Sequence, residues 1–229
     1  MEMMDKLAIE ATEEFVHAGY PSNVETLLIV ELDGPAVEVS DLIARVQNIA
    51  NGLGSNYIRV SKNEAERENF WAGRKAAFPA IGRITPDYYC VDGTIPRARL
   101  PEVLMKINEM SQKYKLRVAN VFHAGDGNLH PLIMYDANEL GELERAEEFG
   151  REILMLCVDV GGVLTGEHGV GVEKRDLMEK VFTEEDLKQQ QRLKCAFDPN
   201  GLLNPGKVFP TLHRCAELGR VHVHHGKTS

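Results

Sequence analysis

The stretch 121-VFHAGDGNLHP-131 decides how the middle of this chain folds. His123 and His130 flank the run Gly125-Asp126-Gly127-Asn128. Asp-Gly between alternating apolar residues is among the strongest short-range signals for a two-residue type I′ turn. With Asp126-Gly127 at its centre, Gly125 faces Asn128, Ala124 faces Leu129 and His123 faces His130. Directly opposed residues project to one face with Cβ atoms roughly 4.5–5.5 Å apart. Two imidazoles so placed can share one divalent ion at nitrogen–metal distances near ~2 Å. Strand histidines also serve as plain structural side chains, so the spacing is a ligand spacing only given this turn.

Downstream, 161-GGVLTGEHGVG-171 holds five glycines in eleven residues, which lets backbone approach a neighbour closely. Glu167 at its centre can complete a two-histidine, one-carboxylate site with open positions, and both Zn²⁺ and Mn²⁺ fit that ligand set. The adjacent His168 is placed for proton transfer. A polar loop between two elements is the alternative. Upstream, 71-WAGRKAAFP-79 offers Arg74, whose guanidinium can fork a carboxylate, with Lys75 beside it; an exposed helix cation is the alternative. Near the end, 197-FDPNGLLNPGKVFP-210 places Asn204, Gly206 and Lys207 in a tight loop. His213, Cys215, His222, His224 and His225 lie in a polar tail, 211–229.

Around these stretches, apolar periodicities of about 2 and 3.6 residues alternate. Residues 1–18 predict an amphipathic helix, 25–34 a buried strand and 40–52 a helix capped by Ser40. Residues 56–61 predict a short strand, and 63–79 a helix ending at Pro79. Strand signals cover 86–96, a helix covers 97–114, two strands cover 115–136 and a helix covers 138–162. A last helix opens at Thr183, with Asp186 completing a capping box. The hairpin points to an α+β fold: an antiparallel sheet with helices on one face, plus a C-terminal helical segment. Periodicity begins almost at Met1 with no capping residue before it, which predicts a chain entered partway through a larger protein.

Composition sets the class. The chain has 229 residues, 43% hydrophobic and 27% charged, which is globular. A net charge of −9 argues against a nucleic-acid partner. No apolar run reaches the ~20 residues of a membrane span. Cys90, Cys157, Cys195 and Cys215 show no CxxC pairing and read as reduced thiols in a cytoplasmic protein. No GxGxxG follows a strand and no GxxxxGK[ST] is present, so a nucleotide cradle is not encoded here.

Three runs in order, FHAGDGNLHP, TGEHGVGVEKRDLM and AFDPNGLLNPGKVFP, resemble the C-terminal half of the FAD-linked oxidases of the vanillyl-alcohol oxidase superfamily. FWAGRKAAFPAIGRITPDYYCVDGTIPR and PTLHRCAELGRVHVHHG narrow the resemblance to the glycolate-oxidising members. It implies a ferredoxin-like cap over residues 1–210, with an N-terminal FAD-binding domain outside this chain and little activity for the chain alone. It also implies metal ligands His123, His130 and Glu167, His168 as base, Arg74 on the substrate carboxylate and Asn204 near the flavin. The implied cofactors are FAD and a divalent metal, Zn or Mn. The implied substrate is a small 2-hydroxy acid, glycolate first and D-lactate as alternative. The implied partners are an iron–sulfur subunit and a second flavin-type subunit, which would give any peripheral contact with the inner membrane. Relatives acting on larger diacids carry a lysine where this chain has Cys90 or Val91, in keeping with a smaller substrate. A non-redox metal-binding or assembly module is the reading from a different class.

Overall fold

The structure is a computed structural model, and it describes residues 1–210. It divides into two compact units, Met1–Gly166 and a second that begins at Glu167. In chain order the first unit contains β1 (Glu2–Asp5), α1 (Lys6–Val16), β2 (Thr26–Ile29), α2 (Ala36–Gly52) and α3 (Glu64–Ile81). There follow β3 (Asp87–Cys90), β4 (Gly93–Thr94), α4 (Leu100–Tyr114), β5 (Val118–Phe122), β6 (Asn128–Leu129), β7 (Pro131–Tyr135) and α5 (Glu142–Asp159). Five strands form one sheet in the order β2-β1-β5-β7-β3, and β4 pairs with β6 apart from it. Every pairing is antiparallel, as the hairpin predicts.

Side-chain alternation separates the two faces of this sheet. Met4, Ala119, Val121, Leu132 and Met134 pack with Ile9, Ala77 and Ile81 of α1 and α3, joined by Tyr88 and Cys90. The next residues along β3, Tyr89 and Val91, meet Gly150 of α5, where an added Cβ would lie 2.2 Å from the Tyr89 ring. So α1 and α3 cover one face as expected, and α5 adds cover on the other.

The chain starts differently from its periodicity. Residues 2–5 form the strand β1 between β2 and β5, and the helix begins only at Lys6. Asp5 is the reason for the switch. Its carboxylate caps α1 by accepting from Ala8 N at 3.0 Å, and it also accepts from the backbone N and side-chain Nδ2 of Asn120 at 2.8 Å each. Burial pushes its carboxyl above the usual range, against the pull of these hydrogen bonds. The strand over 26–29 lies at the sheet edge and is only half covered, and 56–61 forms no strand. α2 starts at Ala36 rather than at Ser40. α3 runs through Pro79 to Ile81, because a proline in the last turn removes one hydrogen bond from a helix already capped by Asn63.

The hairpin register is shifted by two residues from the expected one. Val118 faces Ile133, Asn120 faces Pro131, and His123 faces Asn128. His123 O accepts from both Asp126 N and Gly127 N, at 3.1 and 3.0 Å, closing a four-residue loop over 124–127. Of the two central residues only Gly127 has positive φ, +74°, whereas a type I′ turn needs both. The loop lengthens because Gly127 meets 93–97: Ile95 N donates to Gly127 O at 2.9 Å.

The second unit holds α6 (Met178–Val181) and α7 (Glu184–Phe197), the latter with the expected Thr183–Asp186 capping box. Asp198 then accepts from Leu202 N and Leu203 N at 2.9 Å each and pairs with Lys194, tying the following loop to the helix end. Cys90 and Cys157 carry reduced thiols. Cys215 and the tail histidines lie outside the described residues.

Two outcomes are expected. A Cβ added at Gly127 would lie 2.1 Å from Ile95 O at a φ that side chains avoid, so Gly127→Ala should cost roughly 1–3 kcal/mol in urea unfolding; an unchanged midpoint would contradict the loop geometry. Asp5 has a folded-state pKa above its unfolded value, so its contribution to stability is largest in acid and falls as pH rises through that pKa. Asp5→Asn keeps a good cap and removes the titration. Its stability relative to the parent should therefore improve from about pH 3 to neutrality, and parallel profiles would contradict the assignment.

Candidate functional site

In the first unit β5 runs into His123 and β7 follows directly on His130. Because the register slips by two, an even number, the histidines stay on one face as diagonal rather than direct neighbours. Their rings stand 5.3 Å apart between centroids and 86° to one another, and a nitrogen of each lies within 4.8 Å of the other. His130 is buried, with Phe78 edge-on at 6.5 Å, while His123 is partly open. Cys90 Sγ lies within 4.8 Å of a His130 nitrogen. Two imidazole nitrogens converging from perpendicular rings are a donor set that suits Zn²⁺ or Mn²⁺.

Behind His123 stands a residue to which the sequence motifs give no role. Glu2 is buried in β1, and its Oε1 lies 2.9 Å from His123 Nδ1. Its Oε2 accepts from Arg74 Nε at 3.1 Å and pairs with Nη2 at 2.8 Å. Arg74 is therefore no exposed helix cation; it is buried on α3, and Lys75 beside it is the exposed one. Two donors of its guanidinium already hold Glu2. A buried glutamate so close to the first residue carries one sequence signal, a carboxylate among Met1, Met3 and Met4 that must find a cation if the segment is buried.

Around the hairpin, backbone is packed to contact. β6 pairs with β4, and Thr94 also bridges Val163. A Cβ on Gly162 would lie 1.9 Å from Thr94 O, and one on Gly166 would lie 2.1 Å from Asn128 Oδ1. The fully buried Asp92 accepts from Thr165 Oγ1 at 2.8 Å and from Gly166 N at 3.0 Å. Asn128 in turn places Nδ2 3.5 Å from His130 Nε2. The glycines of 161–171 thus have the role read from their spacing at Gly162 and Gly166: close approach of backbone.

Glu167 and His168 open the second unit, and both are exposed. His168 borders a shallow depression with Val170, Glu173, Lys174 and Lys207. Asn204 is exposed at a φ of +47° in the loop after α7. That loop is tied to the glycine-rich segment: Val208 N donates to Gly171 O at 2.8 Å and Arg175 Nη1 to Gly206 O at 2.9 Å.

Comparison with known proteins follows the same outline. The chain is 59% identical over 226 residues to the glycolate oxidase subunit GlcD of Escherichia coli K12, covering 99% of this chain and 45% of that protein. It is 32% identical over 209 residues to GlcD of Bacillus subtilis, covering 91% of this chain and 44% of that protein. The chain spans about half the length of these curated relatives. Among solved structures, p-cresol methylhydroxylase with substrate bound superposes with a TM-score of 0.62 at 15% identity, over 90% of this chain and 46% of that one, a likeness of fold alone. Residues 1–208 match the family described as FAD linked oxidases, C-terminal domain, and this chain belongs to that family.

Proposed function

We propose that this chain is the substrate-covering half of an FAD-dependent 2-hydroxy-acid oxidoreductase that converts glycolate to glyoxylate. The observation that carries the reading is the perpendicular histidine pair backed by buried Glu2 and Arg74, in a chain 59% identical to a glycolate oxidase subunit. The FAD-binding domain is assigned to the part of the protein outside this chain. A divalent Zn or Mn ion is assigned to His123, His130 and Glu167. Support for Glu167 is connectivity: it directly follows Gly166, whose amide is anchored to Asp92 and whose Cα lies against Asn128.

When bound, the metal would acidify the substrate hydroxyl and the flavin would accept the α-hydrogen with its electron pair. The chain's own residues supply position and proton transfer. Arg74 Nη1 is assigned to the substrate carboxylate, because Nε and Nη2 are held by Glu2. His168 is assigned as the base that takes the hydroxyl proton, and the Asn204 loop as the chain's contact with the flavin. Cys90, whose Sγ lies within 4.8 Å of a His130 nitrogen, is a short side chain in the strand where relatives acting on larger diacids carry a lysine, in keeping with a two-carbon acid. Electron transfer to iron–sulfur and second flavin-type subunits, and a cytoplasmic location with peripheral contact through them, complete the proposal. No helix among the described residues is long and apolar enough to cross a membrane.

The test uses the protein that carries this chain together with its FAD-binding half. His123→Ala and Glu167→Gln should each lose bound metal and slow glycolate-driven flavin bleaching. His168→Ala should keep the metal and lose roughly 10²–10⁴-fold in turnover. Retained metal and retained bleaching in the first two variants would overturn the ligand assignment. Metal without any glycolate-dependent bleaching in the parent would favour the non-redox module.

A further inference from the structure

We propose that Glu2 is a positioning residue that sets the tautomer of His123, an inference that rests on the metal reading above. A carboxylate ion-paired to a guanidinium can only accept hydrogen bonds. Oε1 of Glu2 at 2.9 Å from His123 Nδ1 therefore requires the ring proton on Nδ1. The lone pair is then on Nε2, which leaves Nε2 as the nitrogen that would bind a metal. A ligating histidine held through its other nitrogen by a carboxylate is oriented and made more basic. Here the carboxylate itself is held. Arg74 Nε and Nη2 both engage Oε2, so Glu2 can neither rotate away nor present a different edge to the ring. All three side chains come from different elements, β1, α3 and the hairpin after β5, so the contact also fixes where the ring stands in the unit.

The arrangement makes a prediction that simple packing does not. In Glu2→Gln, Arg74 offers only donors, so it claims the new carbonyl oxygen. The amide NH₂ then turns to His123 Nδ1, which must accept, and the ring proton moves to Nε2. The ligating nitrogen is lost with no atom removed. In the double variant Glu2→Gln/Arg74→Met the carbonyl is released, can accept from Nδ1 again, and the original tautomer returns.

The measurement is ¹⁵N chemical shifts of the imidazoles in the metal-free full chain, at a pH where they are neutral, beside Zn²⁺ affinity by competition with a chromogenic chelator. The parent should show His123 protonated at Nδ1. Glu2→Gln should show it protonated at Nε2, with Zn²⁺ affinity lower by about 10–100-fold, and the double variant should restore both. A parent protonated at Nε2 overturns the proposal whether or not any variant folds. So does a folded Glu2→Gln that keeps the Nδ1 proton, or a double variant that fails to recover it. A parent that shows the tautomer and its switch but binds no Zn²⁺ leaves the role of Glu2 standing and removes the metal reading instead.

Discussion

The backbone hydrogen bond from His123 N to Asn128 O, 3.1 Å long, sets the register on which the site depends. In an antiparallel pair a slip of one residue turns every side chain to the opposite face. Loop 124–127 is held by His123 O on one side and by Ile95 on the other, so the slip is barred. The same register carries Asn120 opposite Pro131 and leads into the central strands of the sheet. Hydrophobic packing on both faces of β5 and β7 then makes the hairpin a rigid mount for two imidazoles.

Charge beside His123 is organised by the buried carboxylate of Glu2. Glu2 and Arg74 are both more than 90% buried, and an isolated charge at either position would be costly. Together they are a neutral pair, and removing either partner of such a pair costs about 3–5 kcal/mol. A well-packed apolar pair would serve stability as well or better. The pair is better explained by what it does to His123 and to the orientation of the guanidinium.

Local signals are legible where local chemistry decides. The Thr183–Asp186 capping box and the alternation of β5 and β7 need only short windows of sequence. The hairpin turn departs from its local signal because Ile95, outside the window, captures Gly127, yet the histidines stay on one face because the shift is even. Residues 2–5 mislead because Met4, Leu7 and Ala8 suit a helix, while the strand is imposed by partners in β2 and β5. The sequence around Glu2 signals a need for a cation but not which one, because its two partners lie 72 and 121 residues away. Family resemblance, rather than periodicity, brings Arg74 into the site set, and its burial comes only with the structure.

On the proposed reading, the His123–His130 hairpin holds a divalent ion. Anomalous diffraction from crystals of the full chain grown with Zn²⁺, collected on both sides of the zinc edge, tests it most directly. One strong peak roughly 2.0–2.1 Å from Nε2 of His123 and from a ring nitrogen of His130 is expected. A peak bound through Nδ1 of His123, a peak elsewhere, or no peak at saturating zinc would contradict it.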